Sequence, residues 1–117
     1  MMTSYEKGLL SELCALIFLW LKGYRVLKWR YKTKVGEVDI IAKRGSLIVF
    51  VEVKKRVSKA QALEAVDFKS RRRIEKTAQH FLKNKPLFQR CEVRFDVMPI
   101  SFGFMPQHLK KAWIFGE

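Results

Sequence analysis

The sequence predicts an α/β fold, a mixed sheet flanked by helices and built in the order α-β-β-β-α-β. Three observations carry that prediction. Leu47 to Val53 is a short, apolar, β-branched run of the kind found in strands covered on both faces. Helical patterns over 5–22 and 60–84 bracket a strand-rich middle. The links between strand patterns within 24–54 are short enough to demand antiparallel neighbours. The stretch 60–84 is long enough to return a fourth strand parallel to the third.

Each element has its own signature. In 5–22, Leu9, Leu13, Leu16 and Trp20 form a stripe, and Gly23 ends the helix. Nearly every residue from Leu13 to Leu21 is apolar, so this helix is expected to be buried on most sides. Residues 24–33 are aromatic and β-branched, a first strand; 37–42 follow Gly36 as a second. Lys43 to Ser46 make the turn into the third strand, 47–54. Over 60–84, Leu63, Val66, Ile74, Ala78, Phe81 and Leu82 recur at three- and four-residue steps until Pro86 stops the helix. Residues 91–98 are a fourth strand, and 112–115 end the chain in a short one.

At 117 residues the chain is expected to form one domain, 1–117. Its 24 Lys and Arg against 11 Asp and Glu give a net charge of +13. The excess runs through both halves and is not confined to a tail. Such a folded cationic protein suits a polyanion, with nucleic acid first; a solvated basic surface is the plainer reading. Cys14 and Cys91 lie in apolar surroundings, as reduced core cysteines of a cytoplasmic protein do. The apolar run LCALIFLWL is nine residues, against roughly 20 needed to cross a bilayer, and neither a membrane nor a signal peptide is expected. His80 and His108 lack metal-ligand spacing and are expected to be structural. The chain has no Gly-rich phosphate loop, Ser/His/Asp arrangement or CxxC pair.

The chemistry concentrates around Glu52, a carboxylate near the end of a strand otherwise built of Leu, Ile, Val and Phe. Burying it costs several kcal/mol or so unless a cation, a metal or good hydrogen bonds compensate. If Ala42 and Leu47 face each other across the turn, Asp39 pairs with Phe50 and Glu37 with Glu52. Alternation then sets Glu37, Asp39, Phe50, Glu52 and Lys54 on one face, with Asp39 and Glu52 diagonal neighbours. Two like charges so placed need something positive between them. Asp and Glu oxygens suit Mg2+ or Mn2+, with Lys54 beside them to orient a water or hold a phosphate oxygen. An ion pair between one of the carboxylates and Lys54 or an arginine fits the same spacing.

Asp39, twelve residues, then Glu52-Val53-Lys54 resembles the D…(D/E)xK signature of restriction-endonuclease-like nucleases, whose core has this element order. The longer block GEVDIIAKRGSLIVFVEVKKR is similar to the centre of the YraN-like family of small bacterial proteins. Gly8 to Glu12, Lys22-Gly23-Tyr24, Lys69 to Arg73 and Arg94-Phe95-Asp96 extend the similarity. The resemblance implies a restriction-endonuclease-like domain in which Asp39, Glu52 and Glu12 hold Mg2+ or Mn2+ and Lys54 is the catalytic lysine. Glu37 has no assigned role in that pattern. Lys43-Arg44-Gly45 departs from it, since relatives often carry an acidic residue there, and the stretch after Lys54 is more basic than theirs.

Lys69, Arg71, Arg72, Arg73 and Lys76 crowd one stretch of the long helix, where those facing outward could grip phosphates. Together these readings give a metal-dependent nuclease acting on DNA, including branched or damaged DNA. The alternative is a catalytically silent nucleic-acid-binding module or adaptor. A homodimer is compatible with either.

Overall fold

The computed structural model of the protein describes residues 1–103 and 105–117. Its elements are α1 (Ser4–Leu21), β1 (Arg25–Thr33), β2 (Gly36–Arg44), β3 (Leu47–Lys54), α2 (Lys59–Ala65), α3 (Phe68–Leu82), β4 (Glu92–Pro99) and β5 (Leu109–Trp113), with a 3-10 turn at Pro86–Phe88. The sheet runs β1-β2-β3-β4-β5. Its first three strands are an antiparallel meander, β4 lies parallel to β3, and β5 returns antiparallel. This is the mixed, helix-flanked sheet that the sequence predicts.

Local chemistry sets the boundaries. Thr3 and Glu6 close α1 with a reciprocal capping box, each side chain taking the other's backbone N–H at 3.1 and 3.0 Å. The pattern over 60–84 is two helices, not one. Asp67 leaves the helical conformation and accepts the Ser70 N–H at 2.9 Å, an N-cap that starts α3 afresh. The terminal strand lies at 109–113, earlier than 112–115.

The hairpin β2–β3 is tighter than expected. Arg44 pairs with Leu47, so only Gly45 and Ser46 make the turn. Gly45 has φ +60°, a backbone that glycine enters without a Cβ penalty and that matches strand twist in two-residue loops. The expected pairing of Ala42 with Leu47 is therefore corrected by two residues: Ile41 faces Phe50 and Ile40 faces Val51.

Two cores sandwich the sheet. On one side Phe50, Phe95 and Trp113 pack under α2 and α3, where Val66, Ile74, Ala78 and Phe81 are buried. On the other, Ile40, Val49 and Val51 pack under Ala15 and Leu19 of α1. The face α1 presents differs from the sequence-based stripe. Ser11, Ala15 and Leu19 turn inward, whereas Leu13 and Trp20 are exposed. From Leu13 to Leu21 every residue is apolar, so no polar side orients this half of the helix. Ser11 is tolerated inside because its hydroxyl donates to the Lys7 carbonyl at 2.9 Å.

Candidate active site

The ladder between β2 and β3 ends at Ile40 and Val51, and Asp39 and Glu52 follow immediately on the two strands. A kink in β2 aims Asp39. Ile40 and Ala42 belong to the core under α1, and Ile41 to the core under α3, as alternation requires. Val38 should then side with Ile40, yet it packs with Ile41. Alternation thus breaks at Asp39. Its neighbour across β1 breaks too: Arg30, between the paired positions Trp29 and Tyr31, has φ 57°. A left-handed arginine costs about 1–2 kcal/mol. Contacts to Glu12 of α1 offset that cost. Arg30 Nε donates to Glu12 Oε1 at 2.9 Å and Nη2 to Oε2 at 3.3 Å, while Trp29 Nε1 donates to Oε1 at 2.9 Å.

Swung out of the alternation, the Asp39 carboxylate accepts the Val53 backbone N–H at 2.7 Å. That bond joins the strands where their own ladder has stopped. Asp39 lines a cavity of about 160 Å³ with Glu12 and Arg30, on the α1 side. Glu52 lines another of about 100 Å³ with Ser70 and Arg73, on the α3 side. Glu37 borders both and pairs with Lys32 at 3.9 Å. The single shared face expected from alternation is thus corrected. The two carboxyl groups meet through the gap at the end of the ladder, close enough to hydrogen-bond.

Burial, then the adjacent Asp39 charge and hydrogen bond, push Glu52 up to about 9. Burial also raises Asp39, against the Val53 N–H and the hydrogen bond to Glu52. The pair therefore holds a proton at neutral pH, and the two titrate as a unit. Lys54 Nζ stands 3.8 Å from Glu52 Oε2, too far for a short hydrogen bond, and does not undo the shift. A shared proton marks a place where a hard cation could sit, and an all-oxygen pair is the donor chemistry that Mg2+ or Mn2+ takes. Glu12 is close enough for its charge to raise Asp39, but its oxygens are turned onto Arg30 and Trp29. Among the described residues, no three His, Cys, Asp or Glu side chains stand grouped as a metal-binding set.

The basic residues of α3 divide. Arg72 is bound to Glu75 at 2.7 Å and stacks on Phe68, and Arg71 donates to the Val66 carbonyl at 3.0 Å. Lys69, Arg73 and Lys76 are exposed, and Arg73 leans over the Glu52 cavity. Gly36 brings α3 this close: a Cβ there would lie 2.8 Å from Thr77 Oγ1 and 3.1 Å from the Arg73 carbonyl.

Sequence reasoning missed a second acidic centre. Asp96 on β4 is fully buried and accepts Arg94 Nε and Nη2 at 2.8 and 2.7 Å, His108 Nε2 at 2.7 Å and the Lys111 N–H at 3.0 Å. Lys22 can only donate to His108 Nδ1, so Nε2 carries the proton given to Asp96. His108 is structural, as its isolation in sequence suggested. The legible signal was Arg94 and Asp96 two residues apart on one strand, hence on one face. Arg30, unremarked in the sequence, is the other omission.

The fold and site define an α/β protein whose sheet carries a half-buried carboxylate pair and a lysine at a splayed strand end. Residues 11–100 match the model of the Uncharacterised protein family UPF0102, and the chain belongs to that family. It is 41% identical over 108 residues to a UPF0102 protein of Rhizobium leguminosarum, covering 92% of this chain and 88% of that one. A UPF0102 protein of Mesorhizobium japonicum is 42% identical over 110 residues, with 94% and 88% covered. Among the described residues no helix is long and apolar enough to cross a membrane.

Proposed function

We propose that the protein is a divalent-metal-dependent nuclease that hydrolyses phosphodiester bonds in DNA, with branched or damaged DNA as its substrate. The observation that carries this reading is the Asp39–Glu52 pair, two half-buried acids facing each other and bordered by Lys54. A pure binder gains nothing from placing carboxylates beside phosphates. Asp39 and Glu52, with Glu12 at the edge of the site, would hold Mg2+ or Mn2+, and the bound ion would offset charge developing on the phosphate. The rest falls to the chain. Asp39 keeps its orientation through the Val53 N–H. Lys54 orients the attacking water or holds a phosphate oxygen. Arg73, Lys69 and Lys76 hold neighbouring phosphates, with Arg71 and Arg72 bracing the helix that carries them.

The competing reading, a silent nucleic-acid-binding module, draws on one observation: Glu12 is already engaged by Arg30 and Trp29. Cleavage of forked and four-way DNA with Mg2+ or Mn2+, beside calorimetric titration with Mn2+, separates the two. Glu52→Gln and Lys54→Ala should each cut on the order of 10²–10⁴-fold more slowly while still binding DNA. A wild-type chain that binds DNA but neither binds Mn2+ nor cuts any branched, nicked or single-stranded substrate would leave the binding module.

A further inference from the structure

Helix α1 is apolar on two opposite sides. Ser11, Ala15 and Leu19 face the sheet, while Leu10, Leu13, Ile17, Trp20 and Leu21 are 37, 36, 59, 70 and 69% exposed. At 3.6 residues per turn those five fall within an arc of roughly 100°, directly opposite the buried three. Their three- and four-residue steps are the spacing of helices that pair. Among the described residues, α1 is also the one helix contributing to the core on its side of the sheet, since α2 and α3 serve the other. A helix that is hydrophobic all round is normally a buried one, and a single copy leaves this one half bare.

We propose that this stripe is the interface of a homodimer, with the α1 helices of two copies packed antiparallel across a twofold axis. Three features favour a second copy as the occupant. The contact is self-complementary, the same apolar patch meeting itself, as a twofold interface requires. These exposures amount to roughly 500 Å², so two copies would bury at most about 1,000 Å², the size at which a specific interface begins. Charge points the same way. Chains of net charge +13 repel, but the one cation of α1, Lys7, stands beside Glu6, and Glu12 is already matched by Arg30. Antiparallel packing also opposes the helix dipoles favourably. Neither cavity beside Asp39 and Glu52 is lined by a stripe residue, so the candidate site stays open in the dimer. The inference does not rest on nuclease activity.

Sedimentation equilibrium of the full chain at physiological salt tests it. The wild type should show the mass of two copies, Ile17→Leu should keep it, and Ile17→Glu should weaken association about a hundredfold or more by burying two like charges. Ile17 points away from the core, so the far-ultraviolet circular dichroism of Ile17→Glu should match the wild type; Trp20→Glu repeats the measurement should that variant fail to fold. A wild type that sediments as one copy overturns the proposal, as does a folded glutamate variant that stays dimeric. A monomeric wild type that floats with phosphatidylcholine–phosphatidylglycerol vesicles would overturn it in favour of a lipid surface.

Discussion

Asp39, half-buried, and Asp96, fully buried, are acids on strands of one sheet, and their surroundings push them in opposite directions. Burial raises both. At Asp96 the His108 hydrogen bond, the Arg94 fork and the Lys111 N–H outweigh it and hold the carboxyl below its usual range. Asp39 has one backbone N–H and a second carboxyl group for company, and the rise remains. Burial alone therefore does not make an acid reactive. An acid whose lone pairs are matched by cationic donors is a structural joint; one facing another acid stores a repulsion that a cation can relieve.

The largest expected effect tests that distinction by removing charge without removing volume. Asp96→Asn puts a neutral amide in the buried place that Arg94, half-buried, and His108 hold with their donors, and should cost about 3–5 kcal/mol. Glu52→Gln, in metal-free buffer at pH 8, should be at least as stable as the wild type, because the wild-type fold then holds a proton that its unfolded chain has released, a cost the amide escapes. Urea unfolding of the two variants beside the wild type reads both numbers. Equal losses would erase the contrast between the sites.

pH should separate them next. Glu52 is held up to about 9 in the fold against an ordinary 4.5. A raised acid contributes stability that is fully present below the ordinary value and lost as pH rises through the folded one. Metal-free wild type should therefore weaken between about pH 5 and 9, on the order of 2–3 kcal/mol once coupling within the pair is discounted, while Glu52→Gln stays nearly level. Asp96, held below 3.8, contributes stability present above that value and lost as pH falls through its folded one. Thermal melts across pH should thus show an acid limb that Asp96→Asn flattens and an alkaline limb that Glu52→Gln flattens. If the alkaline limb is absent from wild type, the pair does not hold its proton as described.

Mn2+ should act on one site alone. At 100 times its dissociation constant it should stabilise the wild type by about 2.7 kcal/mol, more visibly at pH 8 than at pH 5, where protons compete. Asp96→Asn should keep that increment and Glu52→Gln should lose most of it. An equal rise in all three proteins would mean that the ion binds elsewhere.

Most of the frame was legible because hydrophobic pattern and connection length determine it. Ile74, Ala78 and Phe81 are the inward face of α3, with Val66 buried just past the end of α2, and the parallel return of β4 follows from the length of 60–84. What failed depended on side chains acting on backbone. The break between α2 and α3 rests on Asp67 capping Ser70, a signal present in the letters but overrun by the apolar period. The hairpin register turned on whether Gly45 opens a two- or a four-residue turn. Its two-residue correction makes Asp39 and Glu52 the positions just beyond the last pair, Ile40 and Val51, so the two still meet, at the end of the ladder and not on a shared face. The kink at Asp39 and Arg30 had no signature, because a left-handed arginine is stabilised by Glu12, eighteen residues away on another element.

The same contrast between matched and unmatched charge reaches the arginines, and there the smallest effect is expected. Arg72 is spent on Glu75 and Phe68, whereas Arg73 is exposed over the Glu52 cavity. If α3 lies along a duplex, each phosphate it neutralises contributes roughly 0.9 to the slope of log affinity against log salt. Arg73→Ala should lower that slope by about 0.9 and weaken binding to all sequences alike. Arg72→Ala should leave the slope nearly unchanged and appear as lost stability, since Glu75 would keep its buried carboxylate with only the Trp113 N–H at 2.9 Å and the Gly116 N–H at 3.3 Å to hold it. Salt titrations followed by fluorescence anisotropy on a labelled duplex, paired with thermal melts, give both readouts. A slope that falls for Arg72→Ala and not for Arg73→Ala would reverse the assignment and place the nucleic acid on the Phe68 end of the helix.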